Sequence, residues 1–178
     1  MRYFKKIAGD QCYLSPINLE DSDLYTEWLN DLQVTQNLTL SSKNITLHGE
    51  RVLLEELSKG HNYAIVDSRD DTLIGNCGIM NWDQTHRTGE VGIFIGPKES
   101  RGRGIGTEAL RLLCGYAFDY MNMGSLFLRV FEFNEAGIRC YEKVGFKRSG
   151  LLRDSFIMRG RAYDTILMDC LPSDLIRN

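Results

Sequence analysis

Three strand-like runs follow one another between Tyr63 and Ile95, separated only by short polar turns, and they constrain the chain more than any other feature. The runs are Tyr63–Val66, Leu73–Trp82 and Thr88–Ile95, and the turns are D-S-R-D-D and D-Q-T-H-R. Alternating or continuous apolar residues bounded by turn chemistry read as strands. Turns this short join strands that run in opposite directions, so the spacing predicts an antiparallel meander. After Pro97 comes a glycine-rich loop, and then a helix predicted from about Gly104 to Met123. Its apolar residues Leu110, Leu113, Ala117 and Met121 repeat at helical period.

The flanks complete the pattern. Cys12 to Pro16 is a short apolar strand. Asn18 offers an N-cap to a helix through Leu24, Trp28 and Leu29. Residues 32–45 read as a loop or a broken helix, and a second helix runs from about Leu47 to Lys59, with Val52, Leu53 and Leu57 facing inward and Gly60 stopping it. Downstream, Leu126 to Phe131 reads as a strand, Asn134 to Val144 as a helix ended by Gly145, and Phe146–Leu151 and Phe156–Met168 as strands. The expected fold is α+β, a mixed and mostly antiparallel sheet flanked by helices. No linker, repeat or low-complexity tract interrupts it, so residues 1–178 read as a single domain.

Charge narrows the partners. The net charge is −3, yet residues 139–161 hold seven Lys or Arg against Glu142 and Asp154, a local balance of +5 that leaves −8 for the rest. A mostly acidic molecule suits nucleic acid poorly, whereas a small anionic ligand or a solvated basic face both fit the basic segment. No apolar run reaches the length that spans a membrane, and the first residues lack the apolar stretch of a secretory signal. Cys12, Cys77, Cys114, Cys140 and Cys170 are scattered and without C-x-x-C pairs, as expected of reduced thiols in a cytoplasmic protein. His48, His61 and His86 lack zinc-site spacing, so no metal is expected.

The segment P-K-E-S-R-G-R-G-I-G-T-E-A, residues 97–109, follows a strand and opens a helix. A helix start presents unpaired N–H groups and the positive end of the macrodipole, which suit phosphate oxygens. A dinucleotide fingerprint would need a third Gly that the run G-R-G-I-G-T-E-A lacks, and a Walker loop would need G-K-[ST]. A flexible turn is the plain alternative. The pattern R-x-x-G-x-G, here Arg101, Gly104 and Gly106, resembles the acyl-CoA signature of the GCN5-related N-acetyltransferase (GNAT) superfamily. N-E-A-G-I-R-C-Y-E-K-V-G-F at 134–146 is similar to that family's second cofactor-contact region. H-R-T-G-E-V-G-I-F-I-G-P at 86–97 and G-L-L-R-D-S-F-I-M-R-G-R-A-Y-D at 150–164 most resemble the branch holding ribosomal-protein N-terminal and spermidine acetyltransferases.

The resemblance implies acetyl-CoA as cosubstrate and direct transfer to a primary amine, on a protein N-terminus or on a small molecule such as an amino sugar, polyamine or antibiotic. A silent acyl-CoA sensor of the same fold is the alternative. It implies that the backbone of Arg101, Gly102, Arg103, Gly104, Ile105 and Gly106, with Thr107, cradles the pyrophosphate. Arg103, Arg139 and Lys143 are candidates for the 3′-phosphate, each also readable as a surface cation. The main chain of Phe94 and Ile95 would hold the pantetheine and acetyl groups, with an N–H near Ile95 stabilising the oxyanion. Asn134 would both cap its helix and touch the pantetheine arm. Tyr141 would protonate the departing thiolate, or simply pack. Glu90 would be a base working through water, if burial raises its pKa, or a group that orients substrate or pairs with Arg87. Dimers are common in the superfamily, which puts a homodimer among the implied partners. The acceptor should be read by residues 28–48 and the last hairpin, and 32–47 carries no acid to meet a polyamine.

Overall fold

The computed structural model describes residues 2–177. Its core is one eight-stranded sheet in the order β1-β2-β3-β4-β5-β6-β8-β7. The strands are β1 (Ile7–Ala8), β2 (Cys12–Pro16), β3 (His61–Asp67), β4 (Leu73–Asp83), β5 (Thr88–Ile95), β6 (Ser125–Phe131), β7 (Lys147–Met158) and β8 (Arg161–Cys170). The helices are α1 (Ser22–Asn30), α2 (Leu32–Thr35), α3 (Leu47–Ser58), α4 (Ile105–Asp119) and α5 (Glu135–Val144). The expected meander is β3-β4-β5, and every pairing in the sheet is antiparallel except β5 with β6. That pair is parallel because α4 carries the chain back across the sheet.

The alternation of strand side chains fills two cores. Leu14, Ile65, Ile79 and Leu128 join Leu110, Leu113 and Ala117 of α4 and Ile138 of α5 on one face. Tyr13, Ala64 and Val66 join Tyr25 and Trp28 of α1 and Leu54 of α3 on the other. The α4 stripe follows the expected period, but the helix stops at Asp119, and Met121 and Met123 lie beyond it.

Three expectations need correction. In α3, Val52 and Leu53 are exposed and the inward stripe is Glu50, Leu54 and Leu57. The stripe includes a buried carboxyl, which apolar periodicity alone cannot reveal. Burial pushes the Glu50 pKa up. Second, a two-residue strand, Ile7–Ala8, pairs with β2 at the sheet edge. Third, Phe156–Met168 is not one strand. Met158 and Arg161 face each other across a tight turn in which Arg159 and Gly160 both take positive φ, the conformation of a close hairpin. A bulge between Leu152 and Phe156 lets β7 run continuously from Lys147.

Much of the basic segment is paired. Lys147 meets Asp174, Arg139 meets Glu135 at 3.1 Å, and Arg148 lies 3.8 Å from Glu142. Gly145 ends α5 at φ +118°, where a Cβ would lie 2.1 Å from the carbonyl oxygen of Asp174. Gly160 has positive φ but open space around it. Gly145→Ala should therefore cost about 3 kcal/mol or more, from backbone strain plus collision, and Gly160→Ala only about 1 kcal/mol. Urea unfolding midpoints of the two variants check this; equal losses would mean that the Asp174 contact adds nothing.

Candidate active site

The parallel ladder between β5 and β6 is three residues long, from Thr88 opposite Ser125 to Glu90 opposite Phe127. Beyond it β5 runs on to Ile95 alongside β4, and β6 to Phe131 alongside β8. The two strands part, and the β6-facing main-chain groups of β5 are left without a ladder. Direction along β5 alternates. The Phe94 carbonyl is aimed at β4, where it would touch a Cβ built on Gly75, while the Ile95 carbonyl turns away from β4 to accept from Arg101 Nε at 3.2 Å. The N–H and C=O of one residue point the same way in a strand, so Ile93 and Ile95 present theirs to the opening. Of the two candidate main-chain contacts, Ile95 faces the opening and Phe94 faces β4. The Phe94 ring packs edge-on against Tyr25 and Trp28, with centroids 5.9 and 6.3 Å away.

Glycine geometry opens the loop side. Gly102 and Gly104 take φ of +74° and +89°, which L side chains rarely adopt. Gly104 is the N-cap of α4 and offers no side-chain cap, so the N–H groups of Ile105, Gly106 and Thr107 begin the helix uncapped. A Cβ on Gly106 would sit 3.9 Å from Cys140 Sγ, Ile93 Cδ1 and Ile95 Cγ1, which brings the helix start, α5 and β5 to one place. Thr107 Oγ1 and Cys140 Sγ are 3.3 Å apart. Burial, the largest influence, pushes the Cys140 thiol up, against the hydrogen bond from Thr107.

The cations divide. Arg101 turns its guanidinium onto main-chain carbonyls. Arg103 lies 3.6 Å from Asp67, at the end of β3. The main-chain carbonyl of Lys143 in α5 accepts from Arg111 Nη2 of α4 at 3.0 Å. Arg139 is not brought to the loop: it pairs with Glu135 and lines a groove of about 550 Å³ with Glu142, Arg148 and Leu151, on the side of α5 toward β7. Arg139 and Lys143 are one turn apart and share a face of α5, and it is the pairing with Glu135 that occupies Arg139.

Asn134 caps α5, accepting from the Gly137 N–H at 3.0 Å. The next turn carries Tyr141, buried in the core that Ile93, Ile95 and Cys140 also pack against, with its ring edge-on to Phe146. Burial raises the Tyr141 pKa well above that of a free phenol, so the hydroxyl keeps its proton. Among the described residues no hydrogen-bond partner of that hydroxyl occurs, which leaves it available to a ligand.

Glu90 lies on the opposite face of β5, where the strands begin to part. Its carboxylate accepts two 2.8 Å hydrogen bonds from Arg129 of β6 and one of 3.0 Å from Asn81. Arg129 first, and Asn81 after it, hold the carboxyl below the usual carboxylate range, against the burial that pushes it up. A base would need the shift to run the other way. Arg87 is not its partner; that guanidinium donates to the Asn122 carbonyl at 2.6 Å. Sequence reasoning missed Arg129 and Asn81 because the first is set by the β5–β6 register and the second by a positive φ, at 49°, neither of which leaves a local signal.

Residues 11–147 match the family model described as acetyltransferase (GNAT) domain. The chain belongs to this family. It is 31% identical over 181 residues to a Bacillus subtilis protein named "Probable N-acetyltransferase YjcK", covering 94% of this chain and 98% of that one. It is 29% identical over 126 residues to the spermidine N(1)-acetyltransferase of Vibrio cholerae, covering 67% and 72% of the two chains. The solved spermidine N-acetyltransferase from Vibrio cholerae, in complex with CoA and spermine, superposes with a TM-score of 0.82 at 21% identity, over 93% of this chain and 98% of that one. The GNAT domain here thus has the family's sheet and helices.

The Glu90–Arg129 pair has a pH signature. Because the folded-state pKa lies below the unfolded one, the pair's stabilisation is present above the unfolded carboxyl pKa and fades as pH falls through the folded value. NMR titration of the Glu90 carboxyl should give a midpoint below that of a free glutamate. In Arg129→Met burial prevails and the midpoint should rise above it. An unmoved midpoint would show that Arg129 does not set the charge.

Proposed function

We propose that this GNAT domain moves an acetyl group from acetyl-CoA directly to a primary amine, within the opening between β5 and β6. The observation that carries the reading is that the uncapped glycine start of α4 meets β5 and α5 at one place, a Cβ built on Gly106 lying 3.9 Å from Ile93 Cδ1, Ile95 Cγ1 and Cys140 Sγ, with Tyr141 next to Cys140 in α5. The residues present fit coenzyme A, whose pyrophosphate suits a cradle of N–H groups free of Cβ obstruction. Gly102 to Thr107 supply that cradle, and Lys143 and Arg103 are the nearby cations for its remaining phosphate. The cosubstrate supplies a thioester-activated acetyl group.

The chain's own residues supply the rest. The Ile95 N–H donates to a carbonyl oxygen as that oxygen gains negative charge, an interaction worth about 3 kcal/mol in comparable sites. Tyr141 holds a proton at Oη, kept there by burial, and releases it to a departing thiolate; the proton the amine loses on forming the amide restores the phenol. Asn134 fixes the first turn of α5, and so the height of Tyr141. Glu90, ionised and bound to Arg129, orients the amine rather than deprotonating it. Cys140 needs no covalent role, since its thiol is held protonated.

The acceptor is an amine, in keeping with the relatives named as spermidine acetyltransferases. A polycation would need several free carboxylates, whereas Glu90 is neutralised by Arg129 and residues 32–47 contain no acid. An amine of single charge, such as a peptide N-terminus or an amino sugar, suits these walls better than a polyamine.

Free-thiol release with acetyl-CoA and a panel of peptides, amino sugars and polyamines tests the reading. Coenzyme A binding without turnover on any amine would instead mark a sensor. Tyr141→Phe should lower kcat about 100-fold while the coenzyme A Kd changes less than about threefold. Unchanged turnover removes the acid role. Gly104→Val, forced into a positive φ, should weaken coenzyme A binding beyond calorimetric detection while the sheet's circular dichroism persists. Unchanged binding would remove the loop from the cofactor site.

A further inference from the structure

We infer that Arg101 is a positioning residue that couples the acceptor-side helix α2 to the cofactor loop, so that coenzyme A orders the acceptor wall before the amine arrives. The guanidinium holds three main-chain carbonyls from two places in the chain. Nε donates to Ile95 at 3.2 Å and Nη2 to Gly96 at 2.8 Å, both at the end of β5, and Nη1 donates to Gln33 of α2 at 3.3 Å. A planar fork with five fixed donors can make such a three-way tie, which a single ammonium cannot reproduce.

Each end of the tie matters to a different part of the site. Ile95 is the residue whose peptide faces the opening, and its carbonyl is occupied by Arg101 rather than left to compete there. Gln33 lies in a helix of four residues, Leu32–Thr35, too short to satisfy its own carbonyls and marginal as a helix without outside partners. Val34 and Thr35 are buried and Asp31 caps the Gln33 N–H at 2.8 Å, so α2 has an anchored start. Its second residue, Gln33, thus gives its N–H to Asp31 and its carbonyl to Arg101. Arg101 itself opens the segment of Gly102 to Thr107, so a ligand that fixes this loop also fixes the guanidinium and, through it, α2. By reciprocity an acceptor that settles α2 would tighten coenzyme A.

The inference rests on the proposed cofactor site, and amide hydrogen exchange with saturating coenzyme A separates the two. In the wild-type protein, coenzyme A should slow exchange at 104–107 and also at 33–38, the latter by about fivefold or more. In Arg101→Gln, protection at 104–107 should persist and that at 33–38 should vanish. Arg101→Lys keeps the charge without the fork and should lose most of the second effect, which covers the case in which the glutamine variant does not fold. Protection at 33–38 that survives in the folded variants overturns the coupling, as does protection of 104–107 alone in the wild type. Absence of protection at 104–107 in the wild type overturns the cofactor site and the coupling with it.

Discussion

The site depends on a hydrogen-bond ladder that stops. β5 and β6 pair in parallel for three residues and then separate, while each remains paired on its other side. Unpaired strand groups away from water are costly, so a fold keeps such a gap only where something else meets them. Everything chemical is arranged around that parting. The uncapped end of α4 lies at one side of it, α5 with Tyr141 covers the same face, and the Glu90–Arg129 pair spans the strands on the other face just as they begin to diverge. The sheet's thickness therefore separates α4 and α5 on one face from α1 and α2 on the other, the faces to which cofactor and acceptor are assigned in the proposed function.

Much of this was legible in the chain. The meander, the long helix after Pro97 and the helix capped by Asn134 and closed by Gly145 follow from period and punctuation, and the structure has all three. The two glycine-bearing segments were enough to indicate the family. Errors arose where the local rule was satisfied by more than one arrangement. Val52 and Leu53 are apolar and sit in a real helix, but the inward stripe is fixed by packing on the sheet, and that stripe accepts Glu50. The last two strands were misdivided because a bulge looks like an interruption, while the tight turn at Arg159 and Gly160 lies within a run that reads as one strand.

Side-chain partners were the least legible layer. Arg101 reads as the first backbone position of a phosphate cradle, and nothing in the residue order says that its guanidinium is turned back onto Ile95, Gly96 and Gln33. Likewise Glu90 reads as a strand carboxylate in the right place for a base. Its meaning changes once Arg129, thirty-nine positions away, is seen to hold it ionised. Such pairings are products of register and topology, and they appear only when the sheet is assembled.

Recognition through peptide groups has an unequal counterpart in recognition through side chains. On the proposed reading, the cradle of Gly102 to Thr107 works by N–H direction and by the lack of a Cβ, so its three glycines are the positions most exposed to loss. The proposed acceptor wall is made of side chains and can be rewritten one codon at a time without disturbing that cradle. On that reading, a lineage built on this arrangement can change which amine it modifies while inheriting its acetyl donor intact.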